Sequence, residues 1–226
     1  MGQAIGDILP LAVGVALSPF PIVAVILMLF SPRARSLGPS FVLGWFLGIV
    51  VVGGIVLLLA DPADLAGEDA GPSTTASIIK LALGVLLLLV GIRQWRGRPP
   101  EGETPELPKW MQAVDSFTPI KAFGLAAVLS GVNPKNLVMD ITAATTIAQY
   151  DLPTDEAFIV LIIFALLASL SVLVPVVWYL VARESAAKTL THWRVWLVQN
   201  NATIMSVVIL VIGAILIGKG LGGLTD

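Results

Sequence analysis

The sequence predicts an all-α membrane protein: six transmembrane helices forming two inverted three-helix repeats, with proline-broken first and fourth helices. Three observations carry that expectation. Of 226 residues, 57% are apolar and 12% are charged. Six stretches supply the roughly 20 predominantly apolar residues that cross a hydrocarbon core about 30 Å thick. The first and fourth of them each place proline near the middle of the span, shortly after a Leu-Ser pair.

The first span is expected over residues 8–30. Its Ser18-Pro19-Phe20-Pro21 run removes two backbone donors and clashes with the preceding turn, which predicts a kink or an unwound segment. Carbonyls freed in lipid must find protein or water, so this span belongs inside the bundle. No positive n-region precedes it, and no cleaved signal peptide is read. A loop with Arg33 and Arg35 leads to the second span, residues 41–60, where Gly44 and Gly48 have the spacing of a close helix crossing. The acidic loop 61–75 lacks the glycine-centred spacing of a calcium site and reads as a solvated connector.

The third span, residues 76–92, ends on Arg93, Trp95, Arg96 and Arg98. The connection 97–118 opens on Pro99-Pro100; Trp110, Met111, Val114 and Phe117 then share a helical face, which predicts a short interfacial helix. The fourth span, residues 119–148, contains Leu129-Ser130-Gly131-Val132-Asn133-Pro134-Lys135-Asn136, followed by Asp140, Thr142, Thr145 and Thr146. The fifth, residues 157–182, is interrupted by Pro175. An aromatic and basic interfacial segment, residues 183–199, holds His192 on its surface and precedes the sixth span, residues 202–221. The chain thus divides into a first repeat at 1–98, a cytoplasmic linker at 99–118 and a second repeat at 119–226.

Lys and Arg cluster in the loops after spans one, three and five and are absent from those after spans two and four. This places the basic loops in the cytoplasm and both termini outside a plasma membrane, with Lys80 and Lys219 as exceptions near outer span ends. An odd number of spans per repeat makes the two copies opposite in orientation, so the two breaks should meet near the midplane. Chance similarity between apolar segments is the rival explanation of the repeat.

Lysine in the middle of a span costs roughly 2.5 to 3.5 kcal/mol on insertion scales, which marks Lys135 as a candidate functional residue. The candidate substrate-binding set is Asn133, Pro134, Lys135, Asn136 and Asp140 with Ser18, Pro19 and Pro21. Asn133 can donate and accept, Lys135 can neutralise an anionic group, and the half-helix after Pro134 can offer amides to an anion. Asp140 lies five residues beyond Lys135, about 140° around a regular helix, so the two pair only if the backbone is irregular there or a neighbour bridges them. The alternative is that Lys135 is neutralised by a carbonyl and simply stabilises a broken helix.

Several classes fall away. The chain has no cysteine, which removes disulfides, thiolate catalysis and thiolate metal sites. Its single His is outside the spans, and no nucleophile with base or metal pair suggests an enzyme. No arginine-rich run suggests nucleic acid, and without a nucleotide-binding motif any energy comes from a gradient or a partner. No cofactor is implied.

Six spans in two halves, the proline-broken first span and the Asn133-Pro134-Lys135 motif resemble the LysE-type exporter superfamily. Gly131-Val132-Asn133-Pro134-Lys135-Asn136 and the small-residue-rich first span resemble its GAP family, the sulfolipid- and glycopeptidolipid-addressing proteins of actinobacterial envelopes. The resemblance implies help in moving a cell-envelope glycolipid across the plasma membrane beside a larger lipid transporter. Its alternatives are gradient-driven efflux of an amino acid-like solute, and a non-transporting scaffold of a lipid-export machine. Membrane lipids, a larger transporter and a second copy of the chain are the partners to expect. The related electron-transfer branch uses paired cysteines, which this chain lacks.

Overall fold

The computed structural model describes residues 1–59, 74–98 and 114–225. Eight α-helices account for nearly all of these residues, and no strand occurs among them. They are α1 (Gly2–Ala16), α2 (Pro19–Phe30), α3 (Ala34–Leu59), α4 (Thr74–Arg96), α5 (Pro119–Gly131), α6 (Pro134–Ala148), α7 (Thr154–Val181) and α8 (Arg183–Thr225), with a 3-10 turn at Val114–Ser116. The expected loop acids Asp61, Asp64, Glu68 and Asp69, and most of the expected interfacial helix around Trp110, lie outside the described residues.

Four helices are long and apolar enough to cross a membrane: α3, α4, α7 and α8. A fifth crossing follows if α1 and α2, bent by 57° at Ser18, are one span. The chain is membrane-embedded, as its exposed apolar side chains also indicate: Leu59, Ile120 and Val181 are each about four-fifths exposed. The fourth stretch behaves differently from the expected span. It divides into α5, of 13 residues, and α6, of 15, each shorter than a full crossing. By length and composition, four or five candidate crossings are present among the described residues.

Two further expectations are corrected. Pro175 does not interrupt its span, because α7 runs unbroken through it for 28 residues. The basic aromatic segment before the last span is not a separate piece either, since α8 is continuous over 43 residues. At 1.5 Å per residue that is about 64 Å, twice the hydrocarbon thickness, so α8 must extend beyond the apolar layer or run partly along its surface.

Packing follows the small residues. A Cβ on Gly44 would overlap the Phe123 carbonyl, and one on Gly48 would meet Ser130 and Ala127, so α3 and α5 cross backbone to backbone. The α4–α8 pair closes in the same way, a Cβ on Gly84 falling 2.9 Å from the Gly213 carbonyl oxygen. The core lies among α1, α2, α3, α6 and α7, where Ile8, Ile26, Phe41, Trp45, Met139 and Phe164 are fully buried. The Trp45 indole donates to the Ala168 carbonyl at 3.4 Å, tying α3 to α7.

Both exceptional lysines find polar partners. Lys219 on α8 pairs with Asp7 on α1 at 3.2 Å, and Tyr150 donates to the other Asp7 oxygen at 2.7 Å. Lys80 on α4 donates to Gln149 at 2.7 Å. One end of the bundle is thereby stitched together across α1, α4, α8 and the residues following α6.

Candidate functional site

The two breaks meet, and each supplies what the other lacks. Helix α1 ends because Pro19 and Pro21 cannot donate to it, and Ser18 turns to extended backbone at φ −113°, ψ 97°. Pro19 then opens α2 in the first helical position, where a missing N–H costs nothing. The last four carbonyls of α1 are left without helical partners, as at any helix end. All four are satisfied. The Leu17 amide donates to Val13 and the Ser18 amide to Ala16, at 2.9 and 2.8 Å. The Ser18 hydroxyl donates to Val15 at 2.7 Å. The fourth donor crosses from the second break: Lys135 Nζ donates to the Gly14 oxygen at 2.7 Å and to Ser18 Oγ at 2.6 Å.

The second break is built on similar logic. Helix α5 stops at Gly131, and Asn133 caps α6 by accepting the Lys135 amide on Oδ1 at 3.1 Å. Pro134 again occupies the first helical position. Ser130, like Ser18, hydrogen-bonds to the carbonyl three residues back, here Ala127 at 3.2 Å. Asn136, fully buried, donates Nδ2 to the Leu129 carbonyl at 3.0 Å, reaching from α6 back to α5. Its Oδ1 lies 3.4 Å from Ser18 Oγ, although the single hydroxyl proton is already directed at Val15.

Of the eight expected site residues, Ser18 and Lys135 are hydrogen-bonded, Asn136 lies beside them 3.4 Å from Ser18, and Asn133 supports the group as the cap. Pro19 and Pro21 are buried and shape the first break, while Pro134 is exposed and shapes the second. Lys135 is 5% exposed and its amine is directed at a helix C-terminus, where cations are favoured. The amides expected to receive an anion after Pro134 are partly spent: proline has none, and the Lys135 amide is held by Asn133.

Asp140 stands apart. Helix α6 is regular between it and Lys135, so the two face different ways and make no ion pair. The carboxyl group is wholly buried, and neither oxygen has a hydrogen-bond partner among the described residues. An ionised carboxylate in that condition is costly, a cost relieved by a bound proton or cation. Thr142 and Thr145 contribute nothing to it, because their hydroxyls bond back to Val138 and Ile141 on the same helix.

Gly14 is a site residue that the sequence reading passed over. It offers only a carbonyl, and its hydrogen side lets α6 approach: a Cβ there would sit 2.9 Å from Met139 Sδ and 3.3 Å from Ile212. The available signal was a glycine four residues before Ser18, inside the apolar second half of α1.

Comparison with known proteins adds one match. Residues 8–222 fit the model of a family described as Sap, sulfolipid-1-addressing protein. No curated protein and no solved structure matches the chain.

Proposed function

From the premise that this chain belongs to the sulfolipid-1-addressing protein family, we propose that it is a plasma-membrane component of cell-envelope lipid export. The observation that carries the transport part is the junction of the two breaks through Lys135. Transporters with discontinuous helices place polar machinery where two broken spans meet, since irregular backbone is tolerated at membrane depth only inside protein or at a cavity.

Part of the packing supports an inverted repeat of three spans, although α1 with α6 and α7 with α8 have no comparable counterpart. With α1–α2, α3 and α4 as one copy and α5–α6, α7 and α8 as the other, the pairing of α3 with α5 has its counterpart in α7 with α1. The pairings of α3 with α6 and of α2 with α8 are likewise matched by α7 with α2 and α6 with α4, and α4 packs on α8 as its own counterpart. In this reading α5 and α6 together make the sixth crossing, both termini lie outside, and the basic loops face the cytoplasm.

Asp140 is the coupling group in this mechanism. A buried carboxyl group without a partner can bind and release a proton as the bundle alternates its access, while Lys135 holds the two half-helices together. The protein moves lipid itself, without enzymatic chemistry, and has a larger lipid transporter as a further partner.

One observation favours a second reading, a scaffold. The Lys135 amine is already committed to Gly14 and Ser18, as a residue that only consolidates the bundle would be. Reconstitution separates the two. Purified protein in liposomes should drive lipid movement in response to a proton gradient; a preparation that moves nothing alone and co-purifies with a transporter would establish the scaffold instead. Lipid profiling of a deletion strain identifies the cargo, and an unaltered envelope would defeat both readings.

A further inference from the structure

Two turns far apart in sequence bring arginines to one place. Ser31 and Arg35, at the end of α2 and the start of α3, and Tyr179 and Arg183, at the end of α7 and the start of α8, surround a pocket of about 140 Å³. Among the described residues no carboxylate lines it. Arg35 makes no hydrogen bond or ion pair among the described residues, whereas Arg33 is engaged with the Phe117 carbonyl at 3.4 Å. Arg183 donates Nε to the Tyr179 hydroxyl at 2.9 Å, which fixes the guanidinium and leaves its terminal amino groups uncommitted. A planar, anchored guanidinium is suited to a tetrahedral oxyanion such as a phosphate or sulfate group.

The same wall continues as hydrocarbon. Pro175 lies four residues before Tyr179, on the same face of α7 and one turn along it. It borders a groove of about 520 Å³ walled by Leu17 and Ile22, by Leu170 and Val174 of α7, and by Trp193 and Trp196 of α8. That volume falls in the range of small-molecule sites. Helices α7 and α8 therefore each contribute to both hollows, with cationic side chains at one and apolar side chains at the other.

We propose that the two hollows form one site for an anionic membrane lipid, its phosphate- or sulfate-class head group between Arg35 and Arg183 and an acyl chain in the groove beside Pro175. Charge complementarity selects the head group, and the groove distinguishes a lipid from a free anion. The proposal rests on the lipid-export reading only in treating the bound lipid as cargo; binding is tested without it.

The test uses the full chain in nanodiscs of phosphatidylcholine doped with phosphatidylglycerol, with co-purifying lipid measured by native mass spectrometry. The wild type should retain phosphatidylglycerol over phosphatidylcholine, and R35Q/R183Q should lower that preference about tenfold or more, as expected for lost charge-assisted bonds. Val174→Trp, which fills the groove from an exposed position, should lower phosphatidylglycerol retention while leaving any binding of inorganic phosphate unchanged. Equal retention of the two lipids by the wild type overturns the proposal. So does an undiminished preference in R35Q/R183Q with helicity intact by circular dichroism, or displacement of the lipid by inorganic phosphate at equal concentration, which would make this a free-anion site. Selective retention together with a normal envelope in a deletion strain would defeat the export reading and leave the site standing.

Discussion

Lys135 Nζ lies 2.7 Å from the carbonyl oxygen of Gly14, so the residue that follows the second break closes the helix that precedes the first. The contact joins positions 121 residues apart and needs no acidic partner. Charge and dipole agree, because the amine meets the negative end of α1.

Replacing Lys135 should therefore affect stability and function together, in separable amounts. Lys135→Ala leaves the buried Gly14 oxygen and the Ser18 hydroxyl without their partner, a loss of about 1 to 3 kcal/mol. Lys135→Met fills the same space without restoring the hydrogen bonds. Both variants should reach the membrane at normal abundance, melt earlier in detergent and abolish lipid display. Full display from either would remove Lys135 from the mechanism.

Glycine substitutions should discriminate sharply along α3. A Cβ on Gly44 collides with the main chain of Phe123, which cannot rotate away, while one on Gly54 meets only the Phe158 ring at 3.6 Å, an ordinary contact. Gly44→Ala should cost about 1 to 3 kcal/mol, in the range of overpacked cores, and Gly54→Ala close to nothing. Thermal unfolding of the two proteins in the same detergent tests the contrast; equal midpoints would show that α3 and α5 are not in close backbone contact.

These contacts also show what the sequence could convey. The first break was legible because Pro19 and Pro21 remove two donors in one turn and Ser18 is ready to turn the chain. Pro175 looked similar and was not, since a lone proline costs roughly 3 kcal/mol and burial of Phe164, Val172 and Tyr179 on both sides of it holds α7 together. The expected boundary between the interfacial segment 183–199 and the last span does not form. Instead Asn200 bonds back to the Trp196 carbonyl at 2.9 Å and the helix continues. The meeting of the breaks was expected from the proposed repeat, but the direction of Lys135 was not, because its partner at Gly14 is backbone. Arg35 and Arg183 gave no signal either, as only the tertiary fold brings their turns together.

The stitched end of the bundle should loosen in alkali. Partial burial, and then the hydrogen bond to Asp7, push the Tyr150 hydroxyl from its ordinary value near 10 up to about 12. A group raised on folding contributes stability that is present below its unfolded value and is lost as pH climbs through the folded one. The contribution of Tyr150 should thus persist to about pH 10 and disappear towards pH 12. In a Tyr179→Phe background Tyr150 is the only tyrosine left of two, and its tyrosinate absorbance should rise near pH 12. A midpoint near 10 would mean that the bond to Asp7 is absent.

Asp140→Asn gives the clearest separation of stability from mechanism. The substitution keeps the shape of a side chain that is wholly buried and has no hydrogen-bond partner at either oxygen. It removes the cost of ever ionising that group, so the variant should unfold no earlier than the wild type and can be more stable. An amide cannot carry a proton across a conformational cycle, however, and gradient-driven lipid movement in liposomes should fall at least about a hundredfold, the lower end of what positioned proton transfer contributes. If Asp140 instead serves as a neutral packing group, Asp140→Asn will transport normally, and the coupling role must be sought elsewhere. A variant that is stable and inactive would place proton coupling on α6, five residues from the lysine that joins the breaks.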